Sequence, residues 1–349
     1  MRISKICARV VLFLAPLVCG AVGVLPARAG FVGLGPAVDF NVFVFGDDTQ
    51  SNTDSEGRIA VGGNATFGGY TVASSSPSST DNLIVGGNYS NTSNTVHGGL
   101  LVNGNVTWAT PSLTGRLAVN GSATFTSGGS IAGPVNVVGT YSAPGYFPAN
   151  ANPPSVTPLP FSFSDVKTYL AGESNYLASL TPNGVTNVTN SELHLTASGA
   201  QGTYIFDVHG SDLTNAAGHG LFITAPSGST VIVNVDGTAD SFQSMGISLT
   251  GVDNQHVLYN FSQATTLGIN SIGIEGTILA PSAAIAFQGG QINGTLIGQS
   301  VSGQGESHLH LFQGTLPSQP IPEPSTVVLA ICGAAGLVAT HCARTYRRK

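Results

Sequence analysis

The residues best suited to chemistry are the carboxylates Asp47, Asp48, Asp54 and Glu56, which crowd a stretch that also holds Gln50, Ser51 and Asn52. Read as a polar loop, this run of oxygen donors is the material of a calcium site, because that cation takes about six to eight oxygen ligands. The spacing is not that of an EF-hand, and a solvated acidic turn would use the same residues. Calcium is the one cofactor these residues suggest. His308 and His310 would share a strand face, but no third ligand follows at a zinc-binding spacing. Hydrolysis of a glycosidic bond needs a carboxylate pair, and spacing alone selects no pair among the acids of this chain. No nucleophile elbow, phosphate loop or dinucleotide fingerprint stands in a strand–turn–helix context. No catalytic residue is assigned, and a non-enzymatic protein is expected.

Charge narrows the partners. Of 11 Lys and Arg residues, four precede Gly30 and four follow Ala343. Only Arg58, Arg116 and Lys167 remain between them, against sixteen Asp and Glu between Gly30 and Pro320, so the body is near −13 although the full chain is −6. A phosphate-backbone binder needs clustered basic residues; nucleic acid is excluded as a partner. A β-helical lyase, which needs bases to neutralise a uronate, is disfavoured for the same reason. All four cysteines (Cys7, Cys19, Cys332 and Cys342) lie near the ends, so the body has neither disulfide nor thiolate metal site.

Both ends read as addresses rather than fold. Arg2, Lys5 and Arg9 precede an apolar run, and Ala27-Arg28-Ala29 places small residues for cleavage between Ala29 and Gly30. Residues 1–29 are therefore expected to be a signal peptide, the substrate of signal peptidase. Residues 327–343 are mostly apolar and are followed by Arg344, Arg347, Arg348 and Lys349. That pattern predicts a short transmembrane helix with its basic end in the cytoplasm.

The elements between come from a repeat. Ile59-Ala60-Val61-Gly62-Gly63-Asn64 recurs as Leu83-Ile84-Val85-Gly86-Gly87-Asn88, Leu100-Leu101-Val102-Asn103-Gly104-Asn105, Leu117-Ala118-Val119-Asn120-Gly121-Ser122 and Val135-Asn136-Val137-Val138-Gly139-Thr140. The final glycines step by 24, 17, 17 and 18 residues, and the long step contains a polar insertion, residues 73–79. Alternation puts Ile59 and Val61, and their counterparts, inside. Coils that cannot bury their apolar face alone must stack, which predicts a mainly β fold, a β-solenoid, with glycines at tight corners. The same register turns Asn64, Thr66, Asn88, Ser90, Asn105, Thr107 and Thr124 outward, with Ser122, Thr140 and Ser142 at the matching positions, a repeating amide and hydroxyl surface. It is a candidate ligand face, although Asn and Thr also solubilise solenoid walls.

A proline-rich stretch, 144–160, leads into the one expected α-helix, about Asp165 to Leu180 with Ser164 as N-cap. Val166, Tyr169, Leu170, Glu173, Leu177 and Leu180 make a stripe suited to packing along the solenoid wall. Gly276-Thr277-Ile278 and Gly294-Thr295-Leu296 lie eighteen apart, so the repeat resumes and the two halves form one domain over residues 30–315.

Ile321-Pro322-Glu323-Pro324-Ser325-Thr326, an apolar helix and a basic terminus together resemble the PEP-CTERM sorting signal of Gram-negative bacteria, with 316–326 as linker and 327–349 as helix and tail. The resemblance implies processing near Pro322, Glu323 and Pro324 by an exosortase, after a passage through the inner membrane. The body resembles the choice-of-anchor A family of adhesive domains, on the residues Phe40-Asn41-Val42-Phe43-Val44-Phe45-Gly46-Asp47, Glu56-Gly57-Arg58-Ile59 and Gly305-Glu306-Ser307-His308. A helix beside a solenoid is also similar to bacterial ice-binding proteins. The expectation is an exported cell-surface or matrix protein that adheres to extracellular polysaccharide. A carbohydrate-active enzyme on a β-helix and an ice-binding protein are the alternatives.

Overall fold

Ile59 and Val61, Leu83 and Val85, Leu100 and Val102, Leu117 and Val119, and Val135 and Val137 stack as two inward columns on parallel strands. The repeat is a β-solenoid, and the computed structural model describes it over residues 31–76 and 81–319. Each full coil has three strand stations. In the long strand Thr277–Asn293 the stations are residues 277–280, 284–288 and 290–293, each paired to the next coil.

The first station forms one ladder, and its order explains the two sequence halves. It runs through Thr203–His209, Thr230–Asp236, Val257–Asn260, residues 277–280 and residues 296–298. It continues through Val42–Val44, Ile59–Val61, Asp81–Val85, Gly99–Val102, Leu117–Val119 and Val135–Val137. The described chain thus begins in the middle of the stack, where its first coil pairs with its last, Val42 opposite Leu296. Eleven strands at about 4.8 Å span about 48 Å, and the chain must return that distance from Val135–Val137 to Thr203–His209. The proline-rich stretch and the helix make the return. Asn120 and Asn136 pin the stretch by donating to the carbonyls of Thr157 and Ser155 and accepting the N–H groups of the same residues.

Helix α1 (Phe163–Ala178) lies on the outer side of that ladder. Its Val166, Leu170 and Leu177 join a buried cluster with Ile232, Leu258 and Leu279 of the strands the helix crosses. The proline-rich stretch, through Leu159 and Phe161, packs against the same cluster, which continues through Phe43, Ala60, Ile84, Leu101 and Ala118. These strands are apolar on both faces because both faces are covered. Further along, Asn260 donates to the Ser174 carbonyl (2.9 Å) and Asn234 to the Leu177 carbonyl (3.0 Å), which fixes the helix's position along the wall. The helix starts two residues earlier than expected. Ser162, not Ser164, caps it, because the Ser162 hydroxyl accepts the Asp165 N–H, while Ser164 already lies in the first turn.

The structure corrects two further readings. A second helix, α2 (Gly210–Asn215), takes the place of a strand at the second station of one end coil. The stretch read as a polar loop is a strand, Asp48–Ser55, because its alternating residues complete the second and third stations of the first coil. The corner glycines 63, 87, 104, 121 and 139 do not have positive φ. They are glycine because coils touch there: a Cβ on Gly104 would lie 2.5 Å from the Gly87 carbonyl oxygen, and one on Gly121 the same distance from that of Gly104.

The signal-peptide residues, Ala29 and Gly30, the residues 320–349 with Pro322, Glu323 and Pro324, and residues 77–80, which include the end of the insertion, lie outside the described residues. Among the described residues no helix is long and apolar enough to cross a membrane.

Candidate functional site

The second station presents an open face. Along it Thr49 pairs with Ser302 on one side and Thr66 on the other, and the ladder continues through Ser90, Thr107, Thr124 and Ser142. Seven consecutive coils therefore carry a hydroxyl at the same outward position, and all seven residues are exposed. Beneath them Phe67, Tyr89 and Trp108 are fully buried and contact edge to face, which packs successive coils together from below. The spacing along the column is that of parallel strands, about 4.8 Å. At the four threonines, Thr49, Thr66, Thr107 and Thr124, the branched Cβ suits a strand and restricts χ1.

The expected ligand face divides into two roles. Thr66, Ser90, Thr107 and Thr124 form the exposed column. Asn64, Asn88 and Asn105 stand at the corner beside it, and their side-chain oxygens are engaged. The Asn64 N–H donates to Asp47 Oδ1 (2.7 Å), Asn88 N–H to Asn64 Oδ1 (2.9 Å), Asn105 N–H to Asn88 Oδ1 (2.8 Å) and Ser122 N–H to Asn105 Oδ1 (2.8 Å). This ladder satisfies corner N–H groups that no strand partner reaches. Of these two columns, from Ser302 and Asp47 to Ser142 and Thr140, only Asp47 is ionisable. Thr49 and Ser302 extend the column beyond the expected set. The signal that could have found Ser302 is its place after Val301, which repeats the pattern of Thr66 after Ala65.

Strand alternation separates the four carboxylates read as a calcium cluster. Asp47 serves the corner ladder. Asp48 points inward and is fully buried, with Gln50 donating to it (3.1 Å), and burial pushes its carboxyl up to about 7. Asp54 is on the third station beside Glu306 of the adjacent coil. Its pKa is raised by partial burial and by the neighbouring Glu306 and Glu56 charges. Glu56 accepts the Leu309 N–H (2.8 Å). Among the described residues no three Asp, Glu, His or Cys side chains gather in a metal-binding group. His308 and His310 do not share a strand face either: the strand Glu306–His308 ends first, and the His310 N–H turns back to the His308 carbonyl. His308 instead contacts Asn293 through Nδ1 (2.7 Å) and Glu306 through Nε2 (3.2 Å).

No curated protein matches the chain. Among solved structures, an ice-binding protein of the Antarctic ascomycete Antarctomyces psychrotrophicus is 13% identical, with 80% of this chain and 98% of that chain covered at a TM-score of 0.33. An ice-binding protein domain of Shewanella frigidimarina is 14% identical, with 80% and 97% covered at 0.36. An ice-binding protein from an Arctic yeast is 12% identical, with 84% and 97% covered at 0.33. The family model described as "Putative Ice-binding-like adhesive domain" matches residues 33–309, nearly the whole solenoid. The chain belongs to this family of ice-binding-like adhesive domains.

Proposed function

We propose that the protein is a non-enzymatic adhesin that lays its hydroxyl face on an ordered, hydroxylated surface, and that this surface is an extracellular polysaccharide. The observation that carries the reading is the in-register column Ser302–Thr49–Thr66–Ser90–Thr107–Thr124–Ser142, exposed on all seven coils. A regular row of donors and acceptors with little charge suits a neutral, repeating polymer. Each rung is weak, and affinity comes from engaging many rungs at once.

The test is co-sedimentation with insoluble neutral glucan. A Thr66→Lys/Thr107→Lys variant places two long charged side chains in the middle of the row, and its binding should fall at least about tenfold against the parent. Equal binding would remove the face from the reading. A second reading, ice as the surface, is favoured by the same regular hydroxyls and by the family description. It predicts that fluorescently labelled protein enters growing ice and that the same variant is excluded.

Export and sorting complete the proposal: signal peptidase acting between Ala29 and Gly30, then an exosortase near Pro322-Glu323-Pro324, with a surface or matrix destination and a relation to choice-of-anchor A domains. The support is the sequence of the two ends. The intact mass of protein from the native envelope should lack both ends, whereas a Pro322→Ala/Glu323→Ala/Pro324→Ala variant should keep its C-terminal segment in the inner membrane. A wild type that keeps its full C-terminal mass would refute sorting.

A further inference from the structure

At one end of the solenoid, where Thr230–Asp236 turns the corner into Ala239–Gln243, a cleft of about 420 Å3 opens against α2, lined by His209, Gly210, Thr214, Asp236, Gly237 and Asp240 among others. Asp240 occupies the inward position that Leu267 fills in the next coil. It is only 6% exposed, and its Oδ2 has no hydrogen-bond partner. Two glycines make room for this carboxylate. A Cβ on Gly210 would stand 2.0 Å from Asp240 Oδ1 and 2.5 Å from the Asp236 carbonyl oxygen, and one on Gly237 would stand 2.5 Å from Oδ1 and 3.3 Å from Oδ2. The carboxylate and a backbone carbonyl oxygen therefore converge on the same small region.

A buried carboxylate without a partner is costly unless something pairs it, and no basic side chain does so. His209 donates instead to Asp236 (2.7 Å), whose other oxygen accepts the Gly210 N–H (3.0 Å). Asp207 and Asp212 add further negative charge around His209. The three basic residues of the body are committed elsewhere: Arg116 to Asp81, Arg58 to the Asp81 carbonyl and the Phe40 ring, Lys167 to Gln299. Burial and the Asp236 charge both raise the Asp240 pKa, which shows how poorly the site holds an unneutralised anion.

We propose that this cleft binds a hard divalent cation of the calcium class, held by the Asp240 carboxylate and the Asp236 backbone carbonyl, with the Asp236 carboxylate at its rim and water filling the remaining positions. Two carboxylates rather than three place it with weakly held extracellular calcium, in the range of about 0.1 to 1 mM. The bound ion would tie α2 and the Asp236–Asp240 corner together. This inference is independent of what the hydroxyl face binds.

The experiment is equilibrium dialysis of EDTA-treated full chain against calcium chloride, with bound metal counted by elemental analysis. One calcium per chain is expected at millimolar free calcium, and Asp240→Asn should weaken binding at least about tenfold. An Asp54→Asn/Glu306→Gln variant, which removes an adjacent pair of carboxylates outside the cleft, should bind like wild type. Should Asp240→Asn fail to fold, amide exchange of the wild type decides: calcium should slow exchange across residues 209–215 and 236–243. No bound calcium, no such slowing, undiminished binding by Asp240→Asn, or loss of binding in the Asp54/Glu306 variant would each overturn the assignment.

Discussion

Asp48 shows how one inward position can tie stability to pH. The group is fully buried, and its carboxyl is held at about 7 instead of 3.8. A carboxyl whose folded pKa is raised contributes stability that is fully present below the unfolded value, and that contribution is lost as pH rises through about 7. By the usual conversion the whole span is about 4 kcal/mol. Asp48→Asn keeps the shape and removes the titration. In urea, the wild type should lose stability between pH 4 and pH 8 and the variant should lose distinctly less; equal losses would place the dependence on other groups. The sequence did not reveal this role. Alternation from Val42 and Val44 carries through the corner to put Asp48 inward, as it carries from Ile59 and Val61 to Ala65 and Phe67, but the polar composition of the stretch reads as a loop and hides the strand. The Thr66, Ser90, Thr107 and Thr124 column was legible because each threonine or serine stands a fixed two residues past a corner asparagine or serine.

At the scale of elements, the ends of the stack are as informative as its middle. A solenoid end is a row of unpaired strand groups, a template for another chain. Here each end of the first-station ladder meets an asparagine. Asn150 accepts the Val137 N–H and donates to the Val137 carbonyl, both at 2.8 Å. At the other end Asn183 accepts the Ile205 N–H (2.7 Å) and donates to the Thr203 carbonyl (3.0 Å). The two amides imitate a further strand without continuing it. An Asn150→Ala/Asn183→Ala variant should therefore self-associate, with a heavier sedimentation distribution than the parent at equal concentration. An unchanged distribution would show that the ends are guarded by the neighbouring loops alone. Neither cap has a local signature. Helix α1 does, and its apolar stripe was readable, but the wall it covers was not assigned. Three apolar residues in a row, as in Leu83-Ile84-Val85 and Leu100-Leu101-Val102, already imply strands buried on both sides, and the returning chain, first the proline-rich stretch and then the helix, covers the second side. Helix α2 has six residues and no apolar stripe long enough to register.

For the whole molecule, the row of hydroxyls crosses from one sequence half into the other at Ser302 and Thr49. The proposed adhesive row thus depends on the join between the halves, and losses should accumulate with the number of rungs disrupted, a single lysine costing less than two. That join pairs residues 254 positions apart, Val42 with Leu296, and no short-range pattern announces it; the equal spacing of the two sets of repeats implied one domain but not which coils would touch.

The join also sets the timetable by which the protein is made. When Val42–Val44 emerges, its partner at residues 296–298 does not yet exist. At about 5 to 20 residues per second, synthesis of the intervening chain takes roughly 13 to 50 s. Throughout that interval the newborn stack presents a bare apolar strand, the kind of edge that other nascent chains join. Stacking of such non-local strands is itself slow. The central position of the first coil therefore leaves one particular edge open until the last coil closes it.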